Sequence, residues 1–121
     1  MSTPDLACFL YNLVFIQGGA FDDTVTWTID DVPVDLTGCS AHMQVRATAD
    51  ASSSPVVDIT STAGKIVLGG TAGTVRLIVD ANVTQGIAEG DYVYDLAITW
   101  ADGTVQKMMR GSVTVLPGVT Q

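Results

Sequence analysis

A two-residue alternation of apolar and polar side chains recurs along this chain, with almost no helical periodicity beside it, and this constrains the fold most. In Thr24-Val25-Thr26-Trp27-Thr28-Ile29, the residues Val25, Trp27 and Ile29 fall on one side and three threonines on the other. Such a run suits a half-buried strand, because β-branched residues fit a pleated surface on both faces. Ala41 to Arg46 repeats the pattern, with Ala41, Met43 and Val45 inward and His42, Gln44 and Arg46 outward. Val75, Leu77 and Val79 alternate likewise, and Tyr92, Tyr94, Leu96, Ile98 and Trp100 form a fourth set. Trp27, Met43, Leu77 and Leu96 are therefore the expected centre of the core.

Turn signals separate these runs. Gly18-Gly19, Asp30-Asp31, Gly38, the polar stretch 51–55 and Gly69-Gly70 each interrupt an apolar segment. Asp102-Gly103 lies between Tyr92–Trp100 and Val105–Leu116, a strong hairpin signal. One short helical turn is expected at Ala81–Ile87, with Asp80 as its N-cap. The count is eight or nine antiparallel strands, and regular strand spacing of this kind reads as a β-sandwich. The segment Ala88-Glu89-Gly90-Asp91-Tyr92-Val93-Tyr94 resembles the corner at which an immunoglobulin-like domain enters its sixth strand. There a tyrosine bonds its hydroxyl back to preceding backbone, and Tyr92 holds that place. Tyr94 stands where antibody domains carry a cysteine, so no disulfide between sheets is expected. The expectation is an immunoglobulin-like sandwich, with another β-sandwich or a barrel as alternatives.

The length, 121 residues, fits one domain spanning 1–121, with loose ends at about 1–6 and 117–121. Only 15% of the residues are charged, and 13 acids against 5 bases give a net charge of −8. That balance argues against nucleic acid as a partner, since phosphate affinity needs clustered Lys and Arg. Repulsion from anionic lipid argues against a membrane surface. The start has no basic segment before its apolar run, which is interrupted by Tyr11 and Asn12, so no secretory signal is expected. Cys8 and Cys39 have neither metal-ligand nor redox spacing. Reduced, partly buried thiols are expected, with a Cys8–Cys39 disulfide as the alternative.

No motif for chemistry emerges, so no enzymatic activity, catalytic residue, metal or cofactor is expected. His42, the one histidine, lies on a polar strand face without a general-base partner nearby in sequence and reads as a surface or interface residue. Gly69 to Gly73 lacks the Lys-Ser/Thr of a phosphate loop and reads as a flexible turn. Asp22-Asp23 and Asp30-Asp31 would lie about 23–27 Å apart along an extended strand, too far to share one ion. They read as solvated turn acids, with calcium at Asp30, Asp31 and Asp35 as the alternative. Trp27, Trp100 and the Tyr92–Tyr94 strand could instead be stacking platforms for a glycan, against the plainer reading that they fill the core.

A run of segments carries a likeness along nearly the full length. Tyr11 to Phe21 is followed by Val25-Thr26-Trp27 and by Pro33-Val34-Asp35-Leu36-Thr37-Gly38. Then come Ala41 to Arg46, Gly90 to Leu96 and a terminal Gly111-Ser112-Val113-Thr114-Val115. This order resembles small virion proteins of tailed bacteriophages and is similar to the immunoglobulin-like N-terminal domain of phage upper-baseplate proteins. Pro33–Gly38 matches a strand-initiating segment typical of that group. The resemblance implies a structural, non-enzymatic virion component, assembled in the host cytoplasm. It implies an oligomeric setting among other virion proteins, in the tail, baseplate or fibre-attachment apparatus. A capsid decoration protein on the head is the alternative. The run Cys8–Ile16 is apolar at nearly every position, which suits a strand that is central or covered by a partner.

Overall fold

The alternating runs fold as strands, and their inward residues meet. The structure is a computed structural model that describes residues 9–48 and 54–119. In chain order the strands are β1 (Phe9–Leu10), β2 (Leu13–Ile16), β3 (Phe21–Thr26), β4 (Thr28–Ile29), β5 (Val32–Pro33), β6 (Ser40–Arg46) and β7 (Val57–Thr60). They continue with β8 (Ile66–Leu68), β9 (Thr74–Val79), the helix α1 (Ala81–Gln85), β10 (Gly90–Thr99) and β11 (Val105–Leu116). One sheet has six strands, ordered β1-β11-β10-β6-β7 with β2 also on β11; another has three, ordered β3-β9-β8. Strands β4 and β5 form a separate small hairpin. Inward residues of both larger sheets belong to one core, among them Phe15, Met43, Val45, Val75, Leu77, Leu96 and Ile98. Trp27 is only 1% exposed and joins that core. Burying each such side chain contributes about 1.5–3 kcal/mol.

The all-β expectation holds, and several details differ from it. The described residues contain eleven strands rather than eight or nine, because apolar runs are broken by backbone diversions. The strand expected over Thr24–Ile29 breaks at Trp27, whose N–H donates to the Gly73 carbonyl at 2.8 Å and whose carbonyl accepts from Val34 N–H at 2.9 Å. The six-stranded sheet is mixed rather than antiparallel, since β1 and β2 both run parallel to β11. The glycine-rich loop is a hydrogen-bonded turn: Gly70–Ala72 is a 3-10 turn, and its flanks are tied by Trp27 N–H to Gly73 and by Leu36 N–H to Gly70. A Cβ at Gly73 would stand 2.8 Å from the Trp27 carbonyl oxygen, so the close backbone approach needs glycine there. The helical turn is shorter than expected, and Asp80 precedes it without a side-chain cap bond. Its carboxylate is engaged elsewhere, by Lys65 Nζ at 2.8 and 3.0 Å.

Other expectations are met. Asp102-Gly103 turns β10 into β11, with Gly103 N–H donating to the Trp100 carbonyl and Trp100 N–H to Thr104. The Tyr92 hydroxyl donates to the Ala88 carbonyl at 2.7 Å, the corner bond read from the sequence. Cys8, and with it the Cys8–Cys39 alternative, lies outside the described residues, as do the segment 1–6, most of the loop 51–55 and the last two residues. Cys39 is half-buried, and burial holds its thiol above the ordinary range.

Candidate functional site: the outer face of the six-stranded sheet

The apolar run Cys8–Ile16 resolves into an edge. Over its described part, β1 and β2 keep one register on β11, Leu10 opposite Arg110 and Leu13 opposite Val113. Between them Tyr11 and Asn12 leave the ladder, and side chains replace the missing backbone bonds. The Ser112 N–H donates to Asn12 Oδ1 at 3.1 Å, and the Tyr94 hydroxyl donates to the Tyr11 carbonyl. The diversion presses Tyr11 against Gly111, where a Cβ would lie 2.6 Å from the Tyr11 carbonyl oxygen, so the approach needs glycine there. The Tyr11 hydroxyl donates to Asp23 in β3 at 2.7 Å, linking this edge to the other sheet. That bond to a carboxylate raises the phenol's pKa above its usual value. Once the edge is placed, its faces separate: Leu13 and Phe15 are buried, whereas Leu10, Val14 and Ile16 are 73%, 50% and 53% exposed. Leu116, opposite Ile16, is also exposed, so an apolar stripe follows the edge on its outer side.

Next to the stripe lies an open groove of about 510 Å³. Strand register builds it, because Asp58, Gln44, Asp95, Arg110 and Leu10 stand opposite one another across five neighbouring strands. A β-bulge decides which side chains of β11 reach the groove. Leu96 pairs with Met109 and Ala97 with Lys107, so Met108 is an extra residue on β11. An extra residue reverses the alternation. Met108 and Met109 are thus both buried, while Lys107 and Arg110 both face outward and line the groove with Arg46. These are three of the chain's five bases, and among the described residues Asp95 is the one acid in the lining.

A polar chain extends across the same face. His42 Nε2 lies 2.6 Å from Asp58 Oδ1, Gln44 donates to Asp58 Oδ2 at 3.0 Å, and Arg46 donates to Gln44 Oε1 at 2.8 Å. The Gln44 bond, with help from His42, holds the Asp58 carboxyl below its ordinary range. Lys107 pairs with Asp95 at 3.2 Å. Exposed pairs of this kind contribute about 0–1 kcal/mol, so they organise the face more than they stabilise the fold.

Most of the other residues singled out by sequence lie apart from this face. Asp30 and Asp31 are the two-residue turn of the β4–β5 hairpin, both with positive φ (52° and 65°), as a type I′ turn requires. Among the described residues no three acidic, His or Cys side chains group to hold a metal ion. Of the aromatics offered as sugar platforms, Trp27 is buried against Trp100, with ring centroids 5.9 Å apart. Trp100 is half-buried and donates to Gln106, and Tyr94 is buried. The groove itself was missed in the sequence. Its bases are far apart in the chain, and the only local signal of the bulge is the adjacent pair Met108-Met109. No protein-family model matches the chain, and a search of curated proteins finds no match for it.

Proposed function

We propose that this chain is a structural, non-enzymatic component of a tailed-phage virion. In this reading it is an interaction module of the tail, baseplate or fibre-attachment apparatus, built on an immunoglobulin-like sandwich. Strand order supports the fold assignment. An immunoglobulin domain places its second, fifth and fourth strands in one sheet and its third, sixth and seventh in the other. Here β3, β9 and β8 take the first set of places, and β6, β10 and β11 the second, with β7 added beside β6. The first strand lies on the last, and the Tyr92 bond occupies the tyrosine corner.

The observation that carries the functional reading is the outer face of the six-stranded sheet. Exposed apolar side chains at a strand edge are a liability in a free monomer and an asset in an assembly. Leu10, Val14, Ile16 and Leu116 form such an edge, without a charged side chain on β1 or β2 to guard it. Mass spectrometry of purified phage particles tests the proposal. The chain is expected among the particle proteins at a few to a few dozen copies. Its absence from the particle would overturn the reading, and hundreds of copies would move it to the head.

A further inference from the structure

We propose that the groove on the outer face of the six-stranded sheet receives an extended, acidic segment of a partner protein. Carboxylates would meet Lys107 and Arg110, and apolar side chains would meet Leu10 and Val93; this deepens the reading of the chain as an interaction module. The charge distribution is the first support. The chain carries −8 overall, yet three of its five bases line this one groove; among the described residues Asp95 is the acid in the lining, and Asp58, whose carboxylate interacts with Arg46, lies beside it. The other two, Lys65 and Arg76, are paired with Asp80 and Asp22 on the opposite sheet and its flank. Lys107 has Asp95 beside it, whereas Arg110 is exposed and has no ion pair among the described residues. A guanidinium so placed can take a carboxylate through two parallel N–H donors.

The groove's setting selects a polypeptide over other anions. Leu10 lines one wall, and beyond Asn12 the exposed Val14, Ile16 and Leu116 continue the apolar edge, which would bury the apolar residues of an extended segment. A sugar acid would gain little there. The one aromatic in the lining, Tyr94, is buried, and its hydroxyl is committed to the Tyr11 carbonyl, so no ring face is offered for stacking. Three bases on a chain of net charge −8 are also too few for a nucleic-acid backbone. In an extended strand successive side chains point to opposite sides. A segment alternating acidic and apolar residues would thus turn its carboxylates to Lys107 and Arg110 and its apolar side chains to Leu10 and Val93 as it follows the groove edge.

The test is an amide NMR titration of the full chain with a synthetic peptide alternating Asp and Leu, at low and at high salt. Shifts are expected at Gln44, Arg46, Asp95, Lys107 and Arg110, weakening with salt. The K107E/R110E variant should bind about tenfold or more weakly with an unchanged thermal midpoint, and R76Q, on the other sheet, should bind as the parent does. Four results would overturn the proposal: no shifts, shifts centred on another face, equal binding of a Lys–Leu peptide, or tighter binding of an oligogalacturonate. Self-association through the same face that the peptide cannot displace would overturn it too, in favour of a second copy. Because the isolated chain is used, failure here leaves particle membership untouched, and absence from the particle leaves the groove's binding untouched.

Discussion

Trp27 stands where the β3 ladder ends, the β4–β5 hairpin begins and the glycine-rich turn closes, and its indole fills the core between them. Trp27→Ala should cost about 3–5 kcal/mol, read from denaturant melts. The indole N–H is buried without a hydrogen-bond partner among the described residues. Trp27→Phe removes that orphan donor with the ring volume partly kept, so its cost should be clearly smaller than that of alanine. Tyr92→Phe deletes the bond to Ala88 and should destabilise by about 1 kcal/mol, checked in the same melts. Hydrogen bonds hold the carboxyls of Asp22, Asp35, Asp58 and Asp102 below their ordinary range, from Arg76, Thr37, Gln44 and Thr104 respectively. A folded-state value below the unfolded one stabilises the fold above the ordinary carboxylate pKa, about 4, and that stabilisation is lost as pH falls through the lowered values. Thermal midpoints should therefore be level near neutrality and decline below about pH 4, with a shallower acid decline in Asp58→Asn. Individual core residues were legible in the sequence. Val25, Trp27, Met43 and Val45 alternate with polar neighbours, Leu77 and Leu96 fall in the same two-residue phase of their runs, and all six are buried.

At the scale of elements, legibility depended on whether an element's partner lay close in the chain. The β10–β11 hairpin was readable because Asp102-Gly103 joins its strands directly. The first strand was not, because its partners lie 100 residues away in β11 and its run is apolar on both faces. Parallel pairing of β1 and β2 with β11 left no trace in the local pattern. Neither did the kink at Tyr11-Asn12, since the glycine that accommodates it, Gly111, belongs to the other end of the chain. Gly111→Ala should push the Tyr11 carbonyl out of place and loosen the whole edge. A cost of about 1–3 kcal/mol is expected, as for other overpacked sites. Hydrogen exchange checks it: the Ser112 and Tyr11 amides, bonded to Asn12 and Arg110, should exchange faster than in the parent. Unchanged protection there would mean that the edge is held without the close approach. The bulge at Met108 was hidden for a different reason. Alternation is intact on either side of it, so a period of two reads across the extra residue and assigns Lys107 and Arg110 to opposite faces.

For the whole molecule, strand order and the bulge together gather three of the five bases on one face of a sparsely charged, acidic chain. The outer face of the six-stranded sheet combines these bases, and Asp58 and Asp95 beside them, with an unguarded apolar edge, while other acids occupy turns such as Asp30-Asp31 and Asp102. None of this could be read from composition, because bases at 46, 107 and 110 meet only after β6, β10 and β11 align. Val14 and Ile16 are half exposed, so Val14→Lys with Ile16→Lys should change stability by no more than about 0.5 kcal/mol per site. The same pair of changes should block incorporation into particles, measured by the chain's abundance in purified virions. The central claim, that this face exists to be covered within a virion, is tested most directly by a cryo-EM map of the intact phage particle. The account predicts density for the chain with Leu10, Val14, Ile16 and the Lys107–Arg110 groove buried against a neighbouring protein. A particle without the chain, or one in which that face looks out into solvent, would contradict it.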